Sequence, residues 1–445
     1  MKMRNFSREA VFCFFILMNC ISAKVFALPA LTLYQLTNIA IQNNKDLKAA
    51  QYNIFLATAR LTQAGRFPNP SLQLGTIDDR LLTDEGEYTR SIGFSQAFPI
   101  AGRLGKEKTV ARVDIAIAMA EVRNAKRQLR GQVADNFFAL LITDKRLQQL
   151  NKLLAINQQL MQVSQKRFHA AEVSELDANT ARLEYQRILQ EKQALNSLRI
   201  SQSAQLNQLL GRTQKSQLIV DHRLPKITRL PSLTELQHIA LCKRPEIQMA
   251  WLNVNRAQAN QQLARAERWS DWTVGLGVQQ QKLVVEGAPN QTQDRAVTVN
   301  ITIPLPLFNA NQGRILEASM TETQNLMKLQ ALKLAIETEV ASAYGQVKEL
   351  QTALKQSQNG DTLKLITRNV KLAREAYKNG QISLLEILQI QRQQNELQIA
   401  KLTILEKYLQ AVAKLCTAIG NRSIELCPAF SGKRTLNAST QQHVC

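Results

Sequence analysis

The stretch AVTVNITIPLPLFNANQGRI, residues 296–315, changes character midway. Val297, Val299, Ile301 and Ile303 alternate with Thr298, Asn300 and Thr302, the period-two pattern of a strand with one apolar and one polar face. Pro304 and Pro306 then stop it, because neither donates a backbone hydrogen bond and each restricts the residue before it. From Asn311 onward, small and long unbranched residues favour a helix. The sequence thus predicts a strand that ends abruptly and feeds a helix.

Other segments share the alternation. Leu72 and Leu74 mark one strand, and Ile92, Phe94 and Phe98 mark a second, separated by the polar loop DDRLLTDEGEY. Trp272, Val274, Leu276 and Val278 mark a third, which the loop EGAPNQTQDR joins to the opening strand. Each is of about the length that crosses an outer membrane, and long charged loops suit the cell exterior. Four such strands cannot close a barrel, and a bilayer tolerates no open sheet edge. Either the chain associates with further copies, or the strands form a small soluble sheet with one buried face.

Internal repetition carries the most information. Leu36, Ile39, Ala40 and Asp46 match Leu236, Ile239, Ala240 and Glu246 at an offset of 200. Phe168, Ser174, Leu176, Asp177, Leu210 and Gly211 match Tyr377, Ser383, Leu385, Glu386, Ile419 and Gly420 at an offset of 209. The drift places the insertions around the strands. Each half then reads as a helix, a strand pair, a very long helix, a tip and a returning helix. The predicted division is a first repeat over residues 28–211, a linker over 212–232 with Pro225 and Pro231, a second repeat over 233–420, and a polar tail over 421–445.

No proline interrupts residues 103–168. At about 1.5 Å per residue, a continuous helix there reaches on the order of 100 Å, more than a globular domain can use. Leu147, Leu154, Met161 and Phe168 recur every seven residues, as do Leu363, Val370 and Tyr377, giving coiled-coil-like seams. The remaining positions, rich in Gln, Asn, Ser and Ala, suit a helical wall against water. An exported coiled-coil stalk is the plainer alternative, but it leaves the paired strands at matching places unexplained.

The N-terminus supplies the compartment. Lys2, Arg4 and Arg8 precede the apolar run VFCFFILMNCI, and AKVFA leads into Leu28, so residues 1–27 read as a secretory signal peptide. A lipoprotein site at Cys20 competes, with Asn19 a poor residue before a lipidated cysteine. Cleavage after Ala27 takes away Lys2, Arg4, Arg8, Lys24 and Glu9, so the formal charge falls from +21 to +18. Nucleic acid, the usual partner of so basic a chain, lies in the wrong compartment, and no aromatic platform accompanies the basic residues. Cys416 and Cys427 flank the turn-like AIGNRS in an oxidising compartment; a disulfide between them and two free thiols are both compatible with that placement. His169, His222, His238 and His443 are scattered without ligand spacing, so neither a metal site nor a cofactor is expected. No nucleophile, base and orienting group form a recognisable motif, and there is no phosphate-binding glycine loop, so the chain does not read as an enzyme.

With signal peptide, duplicated halves, two strand pairs and long helices together, the mature chain resembles the TolC-type outer-membrane efflux proteins over essentially its full length. The run PLPLFNANQGRI, residues 304–315, resembles the cobalt–zinc–cadmium branch, and the tips FHAAEVSELDANTAR and YKNGQISLLEILQIQ resemble the family's repeated tip motif. The resemblance implies a mainly helical chain with membrane strands. Each copy of a homotrimer would supply four strands to a twelve-strand barrel in outer-membrane lipid, continued through the periplasm by the helices. It implies a passive exit duct for divalent heavy-metal cations, served by a periplasmic adaptor and an inner-membrane transporter of the RND class. Channels for multidrug efflux or protein secretion share the architecture.

The same resemblance assigns roles to residues. Pro99, Pro304 and Pro306 would end membrane strands where sheet becomes helix, with Gly102, Gly105 and Gly313 supplying backbone freedom. Asp177, Tyr377 and Glu386 would form a periplasmic gate, with Glu386 as a carboxylate ring. Phe168, Ala171, Ser174, Gly380, Ser383 and Leu384 would form the adaptor-docking tips. Two positions depart from the family: Ala171 stands where a turn glycine is usual, predicting unequal tips, and Ile382 replaces a basic gate residue of some relatives.

Overall fold

The computed structural model describes residues 30–79, 86–224, 230–284, 287, 289, 293–359 and 362–420. The expected signal peptide and polar tail therefore lie outside the described residues. The first half runs α1 (Leu33–Asn43), α2 (Lys45–Gln63), β1 (Ser71–Asp78), β2 (Tyr88–Phe98), α3 (Arg103–His169) and α4 (Glu175–Leu209). The second runs α5 (Leu233–Lys243), α6 (Pro245–Ala266), β3 (Trp272–Lys282), β4 (Asp294–Thr302), α7 (Gln312–Asn359), α8 (Thr362–Lys378) and α9 (Leu384–Ile419). At 67 residues, α3 spans about 100 Å. The single helix expected to open each half is two: Asn44 stops α1 and caps α2 through Leu47 N–H, and Pro245 starts α6 at a position needing no amide donor.

The strands form one antiparallel sheet in the order β1-β2-β3-β4. Its register aligns whole rows: Leu72, Phe94, Leu276 and Val299 in one, Leu74, Ile92, Val278 and Val297 in the next. All these apolar side chains are exposed. On the opposite face Ser71, Ser95, Gly275 and Asn300 make a row, then Gln73, Gly93, Gly277 and Thr298. A single-layer sheet with a bare apolar face and a small polar face has no core of its own; it is built for lipid on one side and water on the other. Among the described residues no helix is long and apolar enough to cross a membrane.

The helices pack side by side as a wall, α2-α3-α6-α7 near the sheet and α4-α3-α9-α8 at the far end. The short α1 and α5 lie against the wall's middle, where Leu36, Ala40, Leu236 and Ala240 are fully buried with Val133, Phe137, Leu141, Val340 and Val347. Leu31 bridges Val220, so the segment after α4 returns beside the start of the first half. A buried charge cluster ties this level together. Arg244 bonds Glu246 at 3.0 Å and Glu339 at 2.5 Å, while Arg127 pairs with Glu246 and donates to the Thr417 carbonyl at 2.6 Å. Of the expected seams, Leu147, Val370 and Tyr377 are buried, Leu154 and Met161 half-buried and Phe168 exposed, while the Leu363 side chain lies outside the described residues.

Candidate functional site

The passage from sheet to helix follows the prolines but not all the glycines. β2 ends at Phe98, just before Pro99, and β4 at Thr302, before Pro304 and Pro306. Gly102 takes φ +70° as the N-cap of α3, but Gly105 and Gly313 lie within the first turns of α3 and α7 and use no left-handed freedom. The swivel is carried instead by Ala101 and Asn311, with φ of 59° and 56°. Asn tolerates that region, and here its side chain also donates to the Ala264 carbonyl at 2.8 Å. Arg103 clamps the junction, bonding Asp271 at 2.7 Å and Glu107 at 3.3 Å.

At the opposite end of the wall the two tips are built by the same devices. Each descending helix closes in a Schellman turn: Ala171 N–H bonds Phe168 O and Glu172 N–H bonds Arg167 O, matched by Gly380 to Tyr377 and Gln381 to Ala376. Ala171 adopts φ 59° and Gly380 φ 74°. The expected inequality of the tips is thus absent from the backbone: the alanine takes the left-handed conformation, held by two turn hydrogen bonds, at a cost in strain. Ser174 and Ser383 then cap α4 and α9 through the amides of Asp177 and Glu386.

The capping geometry gives the two carboxylates a local task. Glu386 Oε2 accepts from Ser383 N at 2.8 Å and Ser383 Oγ at 2.9 Å, completing a capping box. The backbone bond from Ser383, then its hydroxyl, holds the carboxyl below its ordinary value of 4.5. Among the described residues Asp177 accepts from Ser174 Oγ, at 3.1 Å. Both carboxylates sit at the ends of the wall as expected, but neither bonds the other hairpin.

Two expected residues prove to be interior. Tyr377 is 1% exposed, packed with Leu160, Ala181, Ala373, Leu384, Ile387 and Leu388, and its hydroxyl has no hydrogen-bond partner among the described residues. Its place in the α8 packing stripe with Val370 and Ala373 turns it into the chain, away from a gate network. Leu384, 3% exposed, belongs to the same cluster and cannot meet an adaptor. The apolar contacts free at the tips are its neighbour Leu385, 66% exposed, and the repeat counterpart Leu176, 74% exposed. Phe168 is exposed and lies against His169.

The links between hairpins come from residues that sequence reasoning missed. Arg167 donates to the Tyr377 carbonyl at 3.2 Å, lies 5.4 Å over the Tyr377 ring and pairs with Glu172, setting a cation at the C-terminus of α8. Glu184 on α4 bonds Arg187 at 2.8 Å and, across to α9, Arg392 at 2.7 Å. Ile382, the position noted as departing from the family, is half-buried against the tip cluster. No motif or repeat offset marks Glu184 and Arg392, because their contact depends on how two hairpins pack. Among the described residues, no group of three or more His, Cys, Asp or Glu side chains is placed to hold a metal. Cys416 is disulfide-bonded, as is Cys242, which sequence reasoning left unassigned; Cys427 lies outside the described residues.

Sheet and helices together have the build of an outer-membrane channel. The chain belongs to the outer membrane efflux protein family, whose model matches residues 36–212 and 236–421. It is 24% identical over 396 residues to the cobalt-zinc-cadmium resistance protein CzcC of Cupriavidus metallidurans, covering 88% of this chain and 90% of the relative. It is 26% identical over 429 residues to the pyoverdine export outer membrane protein OpmQ of Pseudomonas putida, covering 89% and 87%. Among solved structures, that of CusC superposes with a TM-score of 0.70 at 21% identity, covering 87% of this chain and 92% of that one.

Proposed function

We propose that this outer-membrane efflux channel is a homotrimeric exit duct in a tripartite system, receiving cargo from an inner-membrane RND transporter through a periplasmic adaptor docked on the tips. What carries the trimer is the matching incompleteness of both edges. β1 and β4 each leave a ladder edge open in the four-stranded sheet. The same edges continue as bare apolar stripes: Tyr52, Phe55 and Leu56 on α2 and Leu176 and Leu183 on α4, against Met320, Met327 and Leu334 on α7 and Leu365 and Leu372 on α8. Edge-to-edge closure of three copies would satisfy both and make a twelve-strand barrel.

Divalent heavy-metal cations are the cargo that the likeness to CzcC and the PLPLFNANQGRI run favour. The likeness to OpmQ supports a second reading, an organic export cargo, and in either case the inner-membrane partner selects what enters. Phe168, Ser174, Ser383 and the exposed Leu385 supply the docking surface, and Glu386 with Asp177 the anionic mouth. Deletion of the gene should sensitise cells to cobalt, zinc or cadmium and not to hydrophobic drugs, with rescue by the wild-type chain. The purified channel should conduct cations in planar bilayers, with selectivity altered in Glu386→Ala. Drug sensitivity without metal sensitivity would transfer the cargo to the second reading.

A further inference from the structure

The duplicated chain provides its own comparison at the tips, and the two descending helices differ in charge where they agree in geometry. On α8, Lys364, Arg368, Lys371, Arg374 and Lys378 recur at spacings of three and four, which puts them on one face. The counterparts on α3 at the offset of 209 are Ala155, Gln159, Gln162, Gln165 and His169. Arg368, Lys371 and Lys378 are exposed, as are all five positions on α3. The burial pattern confirms the equivalence: Ile366 and Ala373 are buried on α8, as Asn157 and Ser164 are on α3.

This stripe differs from the arginines that cross-link the wall. Arg127, Arg146, Arg199 and Arg392 each reach a carboxylate on another element. Arg368, Lys371 and Lys378 have no ion pair among the described residues, and Glu375 is the acid within their stretch of helix. Like charges at helical spacing repel one another, so the unpaired Arg368, Lys371 and Lys378 find their natural complement in an acidic surface.

We propose that the α8 stripe is a docking surface for an acidic face of a periplasmic helical hairpin, so that the two pseudo-equivalent tips are distinguished by charge rather than by shape. The proposal rests on the reading that the tips receive an adaptor and adds to it the partner's chemistry. One hairpin, bearing Glu at three- and four-residue spacing, engages α8; the tip at α3 accepts a neutral, amide-rich face.

The test uses the full-length channel in detergent and two synthetic disulfide-closed helical hairpins, identical except for Glu or Gln along one face, with binding read by fluorescence anisotropy. The Glu-faced hairpin should bind roughly tenfold more tightly than its Gln-faced twin, and the preference should fade at high salt. Arg368→Gln/Lys371→Gln/Lys378→Gln, which gives α8 the chemistry of α3, should abolish the preference while leaving oligomeric state and conductance unchanged. The reciprocal Gln159→Arg/Gln162→Lys should create a second site for the acidic hairpin. Equal affinity for the two hairpins, or a preference that survives neutralisation, overturns the proposal. So does binding of anionic phospholipid vesicles that the same substitutions abolish while hairpin binding persists. A channel that conducts yet ignores the acidic hairpin sinks the stripe alone, whereas a chain that neither conducts nor supports efflux sinks the reading beneath it.

Discussion

Ala171 and Gly380 occupy the same left-handed turn position in the two repeats, with φ of 59° and 74°. An L side chain there costs on the order of 1 kcal/mol, so the two positions should respond with opposite signs. Ala171→Gly should stabilise the first tip by roughly 0.5 kcal/mol after the extra unfolded-state entropy of glycine is set against the relieved strain. Gly380→Ala should destabilise the second by about 1 kcal/mol, and its new Cβ would also stand 3.3 Å from Arg167 Nη2. Hydrogen exchange of the turn amides in the two variants reads both signs. Glu386 sets a second residue-scale expectation. Its carboxyl is held below 4.5 by bonds made only in the folded tip, so the anionic form persists to lower pH than for a free glutamate. The stabilisation is present above the unfolded value and is lost as pH falls through the depressed one. Cation selectivity that depends on Glu386 should therefore titrate with a midpoint below 4.5, and Glu386→Gln should remove the titration. Both carboxylates were legible in the sequence because the repeat offset and the tip motif align them, while their capping role came from the folded tips. The burial of Tyr377 and Leu384 was not, since the tip motif does not tell which side of α8 or α9 meets the chain's interior.

At the scale of elements, the pair Glu184–Arg392 links the two hairpins beside the apolar tip cluster. Burial pushes the Glu184 carboxyl up, but hydrogen bonds and charge from Arg187 and Arg392 more than reverse this and hold it below 4.5. Glu184 is 6% exposed while its partners are about half exposed, which discounts the pair for solvent screening. Glu184→Gln should then cost about 1–2 kcal/mol at neutral pH. Because the folded value is depressed, wild type should lose this increment as pH falls through and below 4.5, and the difference from the variant should shrink there. Guanidinium unfolding of the two proteins at neutral and acidic pH measures it. Elements themselves were legible: alternation located the strands, prolines their ends, and the absence of proline the length of α3. What alternation could not supply was the redistribution of backbone strain at the junction, because Ala101 and Asn311 carry positive φ where Gly105 and Gly313 were the residues free to do so.

For the whole molecule, the sheet and the helical wall are cut along the same two lines, and repair of either cut by further copies repairs both. The repeat made the wall legible from sequence, yet the stripes along its edges were hidden among positions that read equally well as seams within one chain. The exposed Leu183 on α4 and Leu372 on α8 lie on opposite lower edges and fall at heptad distance from Leu176 and Leu365 respectively. A charge introduced there has no effect on the packing of one chain but is driven into an apolar contact when copies close. Leu372→Glu should therefore raise the dissociation constant of the oligomer by more than about tenfold while leaving helix content intact. Leu183→Lys alone should do the same, and the two together should recover part of the loss, since opposite charges then meet across the joint. Sedimentation of the three variants in detergent, beside wild type, decides it. Recovery in the double variant places α4 of one copy against α8 of the next. Two single defects that merely add would leave these edges to face different neighbours, and closure would then depend on the strand ladder and the upper stripes of α2 and α7.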